Sequence, residues 1–128
     1  MQSLTKLADK DPYLCHVNVY HLDVAFFWSM KHYRKYYAKH FDIDVTEHGA
    51  SCPACASHYE LDAGNVFAIC MTEDAGWETY AHECSHMVDF ISDVIGMPMT
   101  MDTTEPRAYL MGYLFRELSL NSPHLAKK

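Results

Sequence analysis

Two histidines four residues apart around a glutamate, His82-Glu83-Cys84-Ser85-His86, are the residues of this chain best equipped for chemistry. On an α-helix, positions i and i+4 stand one above the other on nearly the same face, so both imidazoles can reach one ion. Glu83 then projects to the side where a water on that ion would sit, which is the place of a general base. The arrangement needs no partner beyond the helix itself. Its chemistry would be hydrolysis by an activated water.

The flanking residues supply the helix. Trp77, Tyr80, Met87, Val88, Ile91, Val94 and Ile95, with Cys84, fall on one side at a period near 3.6 residues, while His82, His86, Asp89 and Asp93 fall on the other. Solvated helix faces are mostly Lys, Glu and Arg, and this one is His, His, Asp, Asp. A third ligand within the same segment would require HExxHxxGxxH, yet Asp89 stands at the glycine place and Ser92 at the third-ligand place. The remaining source is a carboxylate from a later element. Glu105 opens a second helical pattern (Glu105-Pro106-Arg107-Ala108-Tyr109, then Leu110, Tyr113, Leu114 and Leu118), and the Gly96-Met97-Pro98-Met99 stretch could fold it back antiparallel to the first. Glu105 has a second reading, because Asp102 three residues earlier and Pro106 just after it fit a capping box and a helical first turn. Asp89 and Asp93 are fallback ligands, with their distance along the helix axis against them.

From Trp77 to Leu118 the chain resembles the gluzincin branch of the zincin metallopeptidases, which use HExxH plus a glutamate on the next helix. It is most similar to the small single-domain HExxH proteins encoded by bacteriophages and prophages. The resemblance implies that His82, His86 and Glu105 bind zinc, that Glu83 is the catalytic base, and that the substrate is a peptide or protein. It also implies a minimal zincin-like single domain over residues 1–128, α+β, with a small mixed or antiparallel sheet packed against the HExxH helix, a backing helix and a C-terminal helix. In that family the strand before the metal helix lines the cleft and pairs with extended substrate; here that strand would be Val66 to Met71. One departure is Tyr109, which stands where better known members often carry an aspartate that orients a zinc-binding imidazole. That support must then come from Asp89, Asp93 or a backbone carbonyl. For the oxyanion, Tyr109, Tyr113, Arg107 and His124 are candidates, and core packing competes with catalysis for each tyrosine.

The other elements are expected as follows. His16-Val17-Asn18-Val19-Tyr20 alternates like a strand, and the opening segment through Tyr13 reads as polar and loose. Asp23 would cap a helix sharing Phe26, Met30, Tyr33, Tyr37 and Phe41 on one face, and Ile43 to Val45 would start another strand. A Gly/Pro/Cys-rich loop follows, and then the apolar strand Asn65 to Met71. At 128 residues, 49% of them apolar, the chain can bury one core without disulfides. Five cysteines, an odd and scattered set, fit a reducing compartment. No membrane-length apolar run and no basic-then-apolar leader is present, so the expectation is cytoplasmic, in the host cytoplasm if phage-encoded. The net charge of -7 argues against generic nucleic-acid binding.

Two further features compete for function. Cys52-Pro53-Ala54-Cys55, flanked by His48 and His58, has the spacing of a second, structural zinc site, but a lone CxxC reads more readily as a loop. Lys31-His32-Tyr33-Arg34-Lys35-Tyr36-Tyr37-Ala38-Lys39-His40 holds four of the ten cations among aromatics, a mixture that can grip phosphates and stack bases. The preferred reading is a helix with a tyrosine core face and a solvated basic face. The functional expectation is therefore a zinc metallopeptidase. Its alternative is a phage-type accessory or anti-host-defence binding protein whose zinc is structural. The small size leaves room for a homodimer or a host protein partner to supply the far wall of a cleft.

Overall fold

A computed structural model describes residues 11–45 and 54–125. Its elements are β1 (Tyr13–Val17), β2 (Leu22–Phe27), α1 (Met30–Phe41), β3 (Ala54–Leu61), β4 (Gly64–Met71), α2 (Trp77–Val94) and α3 (Thr104–Asn121), with 3-10 turns at Asn18–Tyr20 and Met101–Thr103. The fold is α+β. One mixed sheet runs in the order β1-β2-β4-β3, with β2 and β4 parallel and both outer pairs antiparallel.

An apolar strand without a polar face must be covered on both sides. β4 is that strand, buried from Phe67 through Met71. Its odd residues Phe67, Ile69 and Met71 join a core with Tyr80, Cys84, Met87 and Ile91 of α2 and Leu110, Leu114 and Leu118 of α3. Its even residues Ala68 and Cys70 join a second core with Phe27, Val45 and the α1 tyrosines Tyr33 and Tyr37. The sheet is thus sandwiched, α1 on one face and α2 with α3 on the other. Among the described residues no helix is long and apolar enough to cross a membrane.

Four expectations are corrected. The strand expected at His16 to Tyr20 starts earlier and ends at Val17, where the chain turns through Asn18–Tyr20. The helix expected from Asp23 begins only at Met30, capped by the Ser29 hydroxyl on the His32 amide, because Leu22–Phe27 forms β2. The apolar residues there satisfy a strand period and a helix period alike, and pairing with β4 decides between them. Ile43 to Val45 forms no strand; Val45 instead plugs the core beneath α1. The loop expected before Asn65 contains β3, whose two-sided burial hides any simple alternation.

α2 is held at both ends. Tyr80 in its second turn shares a 2.6 Å hydrogen bond with Ser122 beyond α3. At its C-terminus Gly96 adopts φ 74°, a conformation costly for a side-chain-bearing residue, and the Met97 amide donates back to the Ser92 carbonyl at 2.8 Å. That cap turns the chain toward α3. The α3 contact rests on fully buried leucines such as Leu114, where truncation to alanine would cost about 2–5 kcal/mol.

Candidate metal centre

The polar side of α2 assembles three ligand-type side chains. His82 and His86 are both exposed, and their Nε2 atoms converge to 3.0 Å. Glu83 is 7% exposed although it adjoins His82. Its Oε2 is buried without a hydrogen-bond partner. The nearest ligand atoms of all three lie within 4.8 Å of one another, and among the described residues no other such cluster of three could hold a metal ion. Burial pushes the Glu83 carboxyl above its ordinary range, and the neighbouring His82 and His86 pull it back down. A buried carboxylate oxygen with nothing to accept costs about 1–3 kcal/mol or more. A cation, or a water it carries, at the mouth formed by the two imidazoles would supply the missing partner. The residues therefore fit a metal ion, and the structure assigns no particular element.

Packing behind the group fixes its orientation. The Phe90 ring, one turn beyond His86, stacks near its imidazole at 6.4 Å and meets His58 of β3 at 6.3 Å. His58 in turn lies flat on Phe67 at 4.8 Å and hydrogen-bonds Asn65 through Nε2 at 2.7 Å. A run of rings thus connects the exposed imidazole to the sheet. Phe90 was not among the predicted site residues; its signal is the i+4 spacing from His86. Cys84, although inside the motif, points into the core, where burial pushes its thiol up to about 12.

The other predicted residues are distributed unevenly. Glu105 sits exposed in the first turn of α3 and is not a member of the three-residue group. Its helical neighbours Thr104 and Ala108 line a shallow cleft with Ser85 and Asp89 of α2, a cleft that contains neither Glu105 nor any member of the group. The expected capping role falls away. The box at this corner is made by Thr100 and Thr103, and no side chain caps α3. Asp89 and Asp93 are exposed and outside the group.

Three of the four oxyanion candidates are engaged elsewhere. Tyr113 donates to the His16 carbonyl at 2.6 Å, Arg107 donates to Thr103 and to the Thr100 carbonyl, and His124 contacts the Trp28 carbonyl at 2.9 Å. Tyr109 is 75% exposed and lines a groove with Asn18, Val19 and Pro106, a groove containing no member of the metal group.

Cys52 and His48 lie outside the described residues. Of their proposed partners, Cys55 and His58 are three apart on β3 and so face opposite sides of the sheet. Cys55 packs on the α1 side, His58 against Phe67 and Phe90 on the other. These two cannot converge on a second metal ion. On α1, Tyr33 and Tyr37 are buried against Phe27, and Lys31, Lys35 and Lys39 are exposed. Two of the tyrosines that would have stacked bases are thus core residues. β4 pairs on both sides, with β2 and with β3, so it has no edge for a substrate strand.

The chain matches no protein-family model, no curated protein and no solved structure.

Proposed function

We propose that this chain is a zinc-dependent hydrolase of the metallopeptidase type. The observation that carries the reading is Glu83, a nearly buried carboxylate with an unpartnered oxygen set beside two converging imidazoles. A purely structural site has no use for a base there. Two imidazoles with a carboxylate suit zinc among the common divalent ions. When bound, zinc would lower the pKa of a coordinated water toward neutrality and polarise a carbonyl oxygen.

His82 and His86 would hold the ion, and Glu105 would be the third ligand. Support for Glu105 comes from its place one residue from the cleft that α2 and α3 share, and from its exposure, which leaves the side chain able to turn. Glu83 takes the proton of the attacking water and delivers it to the leaving amine. His58, Phe67 and Phe90 hold the His86 ring against rotation. An extended peptide would run along β3, which among the described residues pairs only with β4 and packs beneath α2. The odd, scattered cysteines support a cytoplasmic setting.

The test is a screen of quenched fluorescent peptides with zinc-loaded wild type and Glu83→Gln. Wild type should cleave, and the variant should retain zinc while losing about 10²–10⁴-fold in rate. Equal cleavage by both, or none by the zinc-loaded wild type, would overturn the reading.

A further inference from the structure

On the sheet face turned away from the metal centre, two cysteines stand directly opposite each other. Cys55 of β3 and Cys70 of β4 are register partners in the antiparallel pair. Both pack into the core beneath α1, with Tyr33 and Tyr37. Residues directly opposite in an antiparallel pair project to the same face with Cα atoms about 4.5–5.5 Å apart. A disulfide accepts Cα separations of about 4.4–6.8 Å, so these two could be joined without moving the backbone. The remaining described cysteines, Cys15 and Cys84, belong to the opposite core. All four carry thiols, joined by no disulfide.

Access differs within the pair. Cys70 is fully buried in a strand paired on both sides, whereas Cys55 is half-buried in the outermost strand. Burial pushes the Cys70 thiol far above its usual range, with the nearby Cys55 as the next contribution. Oxidation would therefore begin at Cys55.

We propose that Cys55 and Cys70 form a redox-sensitive pair that a peroxide closes into a disulfide, clamping the outer strand β3 to β4. The Cys55 sulfur attacks one peroxide oxygen, the O–O bond breaks, and water leaves, giving a sulfenic acid on Cys55. The Cys70 sulfur then attacks the Cys55 sulfur; the S–O bond breaks, and the departing hydroxide leaves as water with the Cys70 proton. Two thiols lose two electrons in all, and one peroxide accepts them as two waters. A thiol reductant reverses the product by exchange. The clamp would fix the strand that packs beneath α2 and carries His58.

The test does not depend on zinc or on any substrate, so its outcome is separable from that of the hydrolase reading. Reduced full-length protein is titrated with hydrogen peroxide near pH 8, blocked with N-ethylmaleimide, digested without reductant and mapped by mass spectrometry. The expected product is a Cys55–Cys70 cross-link that dithiothreitol removes, with a melting midpoint raised by roughly 5–10 °C. Cys52→Ser should form it equally well. Cys55→Ser, which spares the buried core position, should form none involving Cys70. A Cys52–Cys55 cross-link in place of Cys55–Cys70, a Cys55 oxidised while Cys70 stays alkylatable after denaturation, or a midpoint that does not rise would each overturn the proposal.

Discussion

Helices α1 and α2 carry similar ladders of aromatic and imidazole rings, and among the described residues only α2 gathers a group that could hold a metal ion. On α1 the ladder is His32, Tyr36, His40, with ring centroids 6.1 and 4.2 Å apart. On α2 it is His82, His86, Phe90, with centroids 4.6 and 6.4 Å apart. The i, i+4 geometry is shared. In α1 a tyrosine separates the histidines, and the buried positions between them are Tyr33 and Tyr37. In α2 the histidines adjoin, and the buried residues between them are Glu83 and Cys84. What sets α2 apart is that its histidines are consecutive on the ladder with an acid buried beside them.

The sharpest way to break the comparison is to remove an imidazole from each ladder. In a competitive chelator titration, His86→Ala should weaken zinc binding by on the order of 100-fold or more. His32→Ala and His40→Ala should leave it within about two-fold. Equal losses from both helices would dissolve the distinction. Glu105→Ala should have a smaller effect, about ten-fold in the same titration, because the exposed side chain must be drawn in from the neighbouring helix. No change would leave the two histidines and Glu83 as the whole protein ligand set.

Glu83 can be tested without any metal. In chelator-treated protein, Glu83→Gln removes a buried charge with an unsatisfied oxygen, so its melting midpoint near pH 7 should lie a few degrees above wild type, an effect of about 1 kcal/mol. A lower midpoint would mean that the carboxylate is satisfied. A further effect, confined to alkaline pH, concerns the buried acids of the two cores. Burial pushes Cys15 up to about 11 and pushes Tyr33 and Tyr37 further above their usual range. Groups whose folded pKa is raised bind protons more tightly in the folded state. Stability should therefore hold up to about pH 8 and decline as pH rises from about 9 toward 11. Chemical denaturation across that range would show the decline, and a flat profile would contradict it.

What could be read from the sequence follows the same division. α2 was legible because a 3.6-residue apolar period coincides with a rare polar face, whereas α3 was marked more weakly, by Glu105-Pro106 at its start and the i+4 spacing of Leu110, Leu114 and Leu118. β2 was not legible. Val24, Phe26 and Phe27 are wholly buried on a strand covered on both faces, so their apolar spacing fits a helix as well as a strand. β3 was hidden because Cys55, Ser57 and Tyr59 serve one core while Ala54, Ala56 and His58 serve the other. The histidines and Glu83 were visible as a pattern, but the burial of Glu83 is a tertiary property that no local spacing announced. His58, which meets Phe90 beside the group, sits on β3 and was hidden with that strand.

The proposed function stands or falls with one catalytic zinc held on α2 by His82 and His86. Its most direct test is zinc per chain by elemental mass spectrometry, on wild type and on the His82→Ala, His86→Ala double variant purified alike. The account predicts one zinc per wild-type chain and close to none in the variant. Wild type without zinc, or a variant that keeps it, would contradict the account.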